Sequence, residues 1–74
     1  MNASEENMEE LAKRIKDLRK ERNLSTKELG KILEVNDSTI TRWENGKMIP
    51  SCEHLLNMAI YFKVSADYLL GLED

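Results

Sequence analysis

Glycine, proline, cysteine and aromatic residues are all scarce in this chain. Its 74 residues include three glycines, one proline, one cysteine, one tryptophan, two tyrosines and one phenylalanine. With 41% hydrophobic and 34% charged residues, this composition excludes a low-complexity or disordered chain and a turn-rich all-β fold, and it suits a compact helical bundle. The single cysteine, Cys52, excludes an internal disulfide and fits a reducing compartment. No apolar run approaches the length that crosses a bilayer, and the opening MNASEENMEE lacks the basic flank and apolar stretch of a secretory signal. The expectation is a soluble, cytoplasmic single domain with no membrane partner, too small for an enzyme cleft with a separate lid.

What is present is helical punctuation. Ser25 with Glu28 three residues on makes a capping box, and Leu29, Ile32 and Leu33 then recur at helical spacing. Asn36 is placed to cap a second short helix, with Asp37 in its first turn, where the macrodipole favours negative charge, and Gly46 as the left-handed residue that ends it. Only Ile40 and Trp43 are apolar in that helix. Trp43 shares a face with Ile40 and is assigned to packing rather than to stacking on a base. The remaining surface carries Asp37, Ser38, Thr41, Arg42 and Asn45, turned to solvent or to a partner. Short hydrogen-bonding side chains on a slim helix are what a reader of a nucleic-acid groove needs.

Three further helices flank this pair. Asn7, with Glu10 at the capping-box position, starts a first helix whose Met8, Leu11, Ile15 and Leu18 trace one face, so residues 1–7 are expected to be a flexible acidic tail and 8–74 the domain. Ser51 begins a fourth helix after Pro50, with Cys52, Leu55, Leu56, Ala59 and Phe62 as its core side. Ser65 caps a fifth that carries Tyr68, Leu69 and Leu70 before Gly71. No alternating pattern long enough for a strand occurs, so the fold class is all-α with five helices. With so few residues after Gly71, no effector or oligomerisation domain is expected.

The segment STKELGKILEVNDSTITRWENGK resembles the helix-turn-helix of the Cro and phage-repressor (XRE-like) family of DNA-binding proteins, whose second short helix ends in a pattern such as ISRWENGK. The resemblance runs from about Leu11 through Leu70 and includes IKDLRKERNLS before the motif, and the Pro-Ser helix start and VSADYLLG after it. It implies a five-helix lambda-repressor-like domain: a sequence-specific transcriptional regulator, a repressor, bacterial or phage-borne. Such a protein inserts residues 37–45 into the major groove of a palindromic operator as a homodimer. Its partner is double-stranded DNA, with no cofactor and no small-molecule substrate.

Carried over residue by residue, base readout falls on Asp37, Ser38 and Arg42 with Thr41 beside them. The Arg42 fork suits guanine O6 and N7, worth roughly 1–3 kcal/mol of discrimination. Asp37 is double-edged: it can accept from a cytosine amino group, or it can serve only as a first-turn helix charge. Phosphate contacts fall on Thr26, Lys27, Asn36, Thr39, Asn45 and Lys47, which fix register without reading sequence. The family pattern also pairs Arg19 with Glu44, an ion pair that would hold the recognition helix to the first helix. Three positions depart from it. Glu34 and Lys63 stand where many members have glycine, and Thr26 replaces the usual glutamine, which shortens its reach to bases while its backbone N–H can still meet a phosphate. Cys52 occupies a common leucine position and is expected to be an inert, partly buried thiol. Tyr61, Tyr68, Leu69 and Leu72 are the candidates for a dimer interface.

A net charge of −3 is unusual for a binder of phosphates, because Lys and Arg neutralising phosphate supply most non-specific affinity. The acid lies at the ends: residues 1–10 hold four Glu, while residues 11–22 hold six basic and two acidic groups. That basic run reads as a solvated surface with helical ion pairs, and few phosphate contacts with moderate affinity are expected. The acidic balance supports a rival reading, an antitoxin-like or anti-repressor-binding module with secondary DNA binding. Catalysis is the remote third. His54 stands two residues from Cys52, which is not a zinc spacing; Ser38, Ser51 and Ser65 have no His–Asp set around them; and three glycines make no phosphate-cradling loop.

Overall fold

The computed structural model describes residues 5–73. Five helices follow in order, α1 (Glu5–Glu21), α2 (Thr26–Leu33), α3 (Asp37–Glu44), α4 (Cys52–Phe62) and α5 (Ala66–Leu69), with no strand among the described residues. None of the described helices is long and apolar enough to cross a membrane. The described part of α1 already begins at Glu5, so Asn7 lies inside the helix rather than capping it. Glu5 and Glu6 occupy the first turn, where the helix dipole favours acid. The other residues assigned to the acidic tail, 1–4, lie outside the described residues.

Serine starts three of these helices. Ser25, Ser51 and Ser65 sit in extended backbone, and each Oγ accepts from the N–H three residues on, that of Glu28 at 3.0 Å, His54 at 3.2 Å and Tyr68 at 2.9 Å. Glu28 returns the bond by accepting from the Ser25 N–H at 2.9 Å, which completes the capping box. Asn36 has the extended backbone of a cap but makes no capping hydrogen bond through its side chain, a correction to the sequence expectation. Its carbonyl instead receives the Thr39 and Ile40 amides at 3.0 and 3.3 Å.

The turns that lack the family's glycines keep the left-handed conformation. Glu34 has φ 59° and Lys63 φ 58°, and Asn23 adds a third at φ 57°. Such a conformation costs a residue with a Cβ roughly 1–2 kcal/mol, offset here by helix-closing bonds such as that from the Val35 N–H to the Gly30 carbonyl at 2.8 Å. Gly30 itself is required by close approach, since a Cβ there would stand 2.7 Å from the Val35 carbonyl oxygen.

The core draws on every helix: Leu11, Ile15 and Leu18 from α1, Leu29 and Leu33 from α2, Ile40 and Trp43 from α3, Met58, Ala59 and Phe62 from α4, and Leu69 from α5. Several sequence assignments need correcting. Met8 and Ile32 are both 40% exposed, at the rim of the core rather than within it. Cys52 is exposed, not partly buried, and Leu56 is exposed as well. α4 is apolar on nearly every side, so periodicity alone could not choose its inner face; packing turned Met58, Ala59 and Phe62 inward and left Cys52, Leu56 and Ile60 on an outward stripe at four-residue spacing. Leu69, offered above for an interface, is fully buried, while Tyr61 and Tyr68 are half-buried and Leu72 is exposed.

Arginines tie the ends of the chain to this core. Arg14 lies 4.3 Å over the Tyr68 ring, donates to the carbonyls of Tyr68 and Glu73 at 2.6 Å each, and pairs with Glu10 at 2.8 Å. Arg22 donates to the Phe62 carbonyl at 3.2 Å and lies against the rings of Tyr61 and Phe62. These roles were invisible in sequence because they join residues some 40 to 59 positions apart.

Candidate nucleic-acid interface

α3 is held from behind and left open in front. Ile40 and Trp43 are buried, with the Trp43 ring 5.3 Å from the His54 ring of α4. Near its C-terminal end, Glu44 takes a two-pronged bond from Arg19 of α1: Nε to Oε2 at 2.7 Å and Nη2 to Oε1 at 2.9 Å. These side chains are only 12% and 5% exposed, so each charge has the other as its main compensation. Arg19 also donates from Nη1 to the Leu24 carbonyl at 2.8 Å, joining the loop before α2 to the same clamp. The hydrogen bond to Glu44 raises the Arg19 pKa above its ordinary value against the opposing effect of burial, so the guanidinium is charged at every physiological pH.

The outward side of α3 has the opposite character. Asp37, Ser38, Thr41, Arg42 and Asn45 are exposed, with Lys47 just beyond, and Thr39 is half-buried. Asp37, Ser38, Arg42, Asn45 and Lys47 make no side-chain hydrogen bond or ion pair among the described residues, so their donors and acceptors are available. Thr41 is the exception: its hydroxyl donates to the Asp37 carbonyl at 3.1 Å, which leaves its oxygen as an acceptor toward solvent. Gly46 closes the helix at φ 71°, and the Lys47 N–H bonds back to the Arg42 carbonyl at 2.9 Å.

α2 brings a second set to this side. A groove between α2 and the start of α3 is lined by Lys27, Lys31, Val35, Asn36 and Asp37, so Lys27, Asn36 and Asp37 come together while Thr26 sits half-buried at the start of α2. Lys31 was not among the residues singled out from sequence. Its signal was present as the position four after Lys27, one helical turn along the same face. A second groove, lined by Glu9, Ala12, Lys13, Lys16, Glu44, Asn45 and Gly46, separates α1 from the end of α3. No cluster of three or more His, Cys, Asp or Glu residues suited to a metal ion occurs among the described residues. His54 Nδ1 is engaged with Ser51 Oγ at 2.9 Å.

Known proteins resemble this chain in sequence and in fold. The chain is 34% identical over 65 residues to the HTH-type transcriptional activator BcrR of Enterococcus faecalis, covering 88% of this chain and 32% of that protein. It is 30% identical over 64 residues to the HTH-type transcriptional regulator ImmR of Bacillus subtilis (strain 168), covering 86% of this chain and 50% of that one. The chain therefore spans about a third of one relative and half of the other. Among solved structures, the P22 c2 repressor in complex with a synthetic operator superposes with a TM-score of 0.80 at 32% identity, over 85% of this chain and 96% of that one. The P22 c2 repressor DNA-binding domain in solution gives a TM-score of 0.75 at 31% identity, over 95% and 86%. A helix-turn-helix family model matches residues 15–69, and on that match, the five-helix architecture and the geometry of α2 and α3, the chain belongs to the helix-turn-helix family of Cro and phage-repressor type.

Proposed function

We propose that this chain is a sequence-specific DNA-binding transcriptional regulator whose α3 enters the major groove. The observation that carries this reading is the two-sidedness of α3: an inward side fixed by Ile40, Trp43 and the Arg19–Glu44 pair, and an outward side of exposed, mostly uncommitted polar groups. A helix held rigidly lends its readout precision, because binding then has to order only the side chains and not the backbone that carries them. In this reading Arg42 and Ser38 meet base edges, Thr41 accepts from a base amino group, and Asp37 either accepts from cytosine or holds the helix start. Thr26, Lys27, Asn36, Thr39, Asn45 and Lys47 meet phosphates.

The regulator acts as a homodimer on a palindrome, with half-sites one helical turn, about 34 Å, apart. Repression is the sign we propose, since it requires only that the operator be occupied. Interface residues are sought on the outward stripe of α4, at Leu56 and Ile60, in place of the buried Leu69. That patch is on the order of a few hundred Å², against roughly 800 Å² per partner in a standard interface. Pairing is accordingly weak in solution and completed on the DNA.

The test is selection of duplexes from a random pool at two salt concentrations. A regulator of this kind enriches a palindrome and shows a linear fall of log affinity with log salt. The rival reading, a module that binds another protein through the same apolar stripe, predicts no enriched sequence.

A further inference from the structure

The basic run of residues 11–22 divides once its partners are known. Arg14, Arg19 and Arg22 are committed to the C-terminal turn, to Glu44 and to the Phe62 carbonyl, and Lys13 forms an exposed pair with Asp17 at 3.1 Å. Lys16 is exposed and has no ion-pair or hydrogen-bond partner among the described residues. It does not point into empty surroundings: Lys13 and Lys16 line the groove against the end of α3, together with Asn45 and Gly46. Asn45 thus borders both this groove and the outward side of the recognition helix.

We infer that this groove is a second phosphate-binding edge, and that the DNA backbone flanking the end of α3 passes over Lys16 and Lys13 of α1. This rests on the DNA-binding reading and extends the contact surface beyond the helix-turn-helix itself. Charge decides how far the edge runs. Of the two carboxylates that line the groove, Glu44 is 5% exposed and neutralised by Arg19, so it offers little repulsion. Glu9 is exposed and lies one turn before Lys13, so it closes the edge toward the start of α1, where the exposed Glu5 and Glu6 add more acid. The strand therefore crosses the middle of α1 and turns away from its acidic beginning. The net charge of −3 is compatible with this track, since four of the six acids of α1 lie in its first six residues and Asp17 is paired with Lys13.

The experiment measures binding to a mixed-sequence duplex two helical turns long across a salt series, for the full chain and for Lys16→Gln, Lys13→Gln/Lys16→Gln, Glu9→Gln and Lys63→Gln. The last is a charge-matched control at the far end of α4. The expected result is a salt slope shallower by about 0.9 for Lys16→Gln and by about twice that for the double variant. Glu9→Gln binds more tightly, and Lys63→Gln matches the unaltered protein. The inference is overturned if Lys16→Gln and the double variant behave like Lys63→Gln while the unaltered protein still binds DNA. Failure of the unaltered protein to bind any duplex would overturn the DNA-binding reading itself.

Discussion

Helices α3 and α4 solve the same packing problem and then part. Each sends bulky residues inward, Ile40 and Trp43 from the one and Met58 and Phe62 from the other, and the Trp43 and His54 rings meet across their junction. Outward, α3 presents Ser38, Thr41, Arg42 and Asn45, whereas α4 presents Cys52, Leu56 and Ile60. Burial ties both helices to one core; the chemistry of the opposite side makes them different. A polar side that is held rigid can discriminate among hydrogen-bonding edges, and an apolar stripe can only seek another apolar surface.

The comparison breaks most violently if the clamp behind α3 is removed. Glu44→Leu or Arg19→Met, each leaving a buried charge without its partner, should cost about 3–5 kcal/mol in denaturant unfolding, and the double change should recover much of that loss. No loss in either single variant would mean that α3 is held by its apolar residues alone. On the outward side the effects move from stability to recognition. Arg42→Ala should forfeit roughly 1–3 kcal/mol of preference at one base pair per half-site, while Lys47→Ala weakens binding to all sequences about equally. Matching effects from both would dissolve the division between reading and positioning.

Altering the α4 stripe sharpens the contrast from the other side. Leu56→Ser with Ile60→Ser removes exposed apolar groups, so unfolding stability should change by no more than about 0.5 kcal/mol per site. Cooperative occupation of a palindrome should nevertheless fall, as read by titration against duplexes with one and two half-sites. Unchanged cooperativity would put the pairing surface elsewhere.

The smallest expected effect lies at the start of α2. The Ser25 backbone N–H and hydroxyl hold the Glu28 carboxyl below its ordinary pKa. A carboxyl lowered in the folded state stabilises fully above the unfolded carboxylate range and loses that contribution as pH falls through the lower folded value. Melting temperature should therefore decline slightly less on acidification in Glu28→Gln than in the unaltered protein. A steeper decline in the variant would have the wrong sign.

Much of this architecture was legible because local chemistry fixed it. The serine caps at 25, 51 and 65, the Glu28 that completes the first of them and the glycine at 46 act within one turn of the chain, and each appears where its spacing placed it. Trp43 was assigned to the core because it shared a face with Ile40, and both are buried. What stayed hidden depended on distant partners. The inner face of α4 could not be chosen from a helix whose polar residues are only Glu53, His54 and Asn57, so Cys52 and Leu56 were placed inside when Met58 belonged there. Asn36 had the residue type of a cap without the bond. The six bases of residues 11–22 looked like one run, yet Arg14, Arg19 and Arg22 serve the fold while Lys16 remains available, a division that only long-range contacts make.

The most direct test of the two-sided α3 is to titrate a selected duplex into isotopically labelled protein and record which backbone amides shift. The account predicts that the largest changes fall between residues 37 and 47, with the start of α2 alongside, while amides around Leu56 and Ile60 respond only at protein-to-DNA ratios that allow two copies per duplex. Changes concentrated on α4 at one copy per duplex, with residues 37–45 silent, would contradict it.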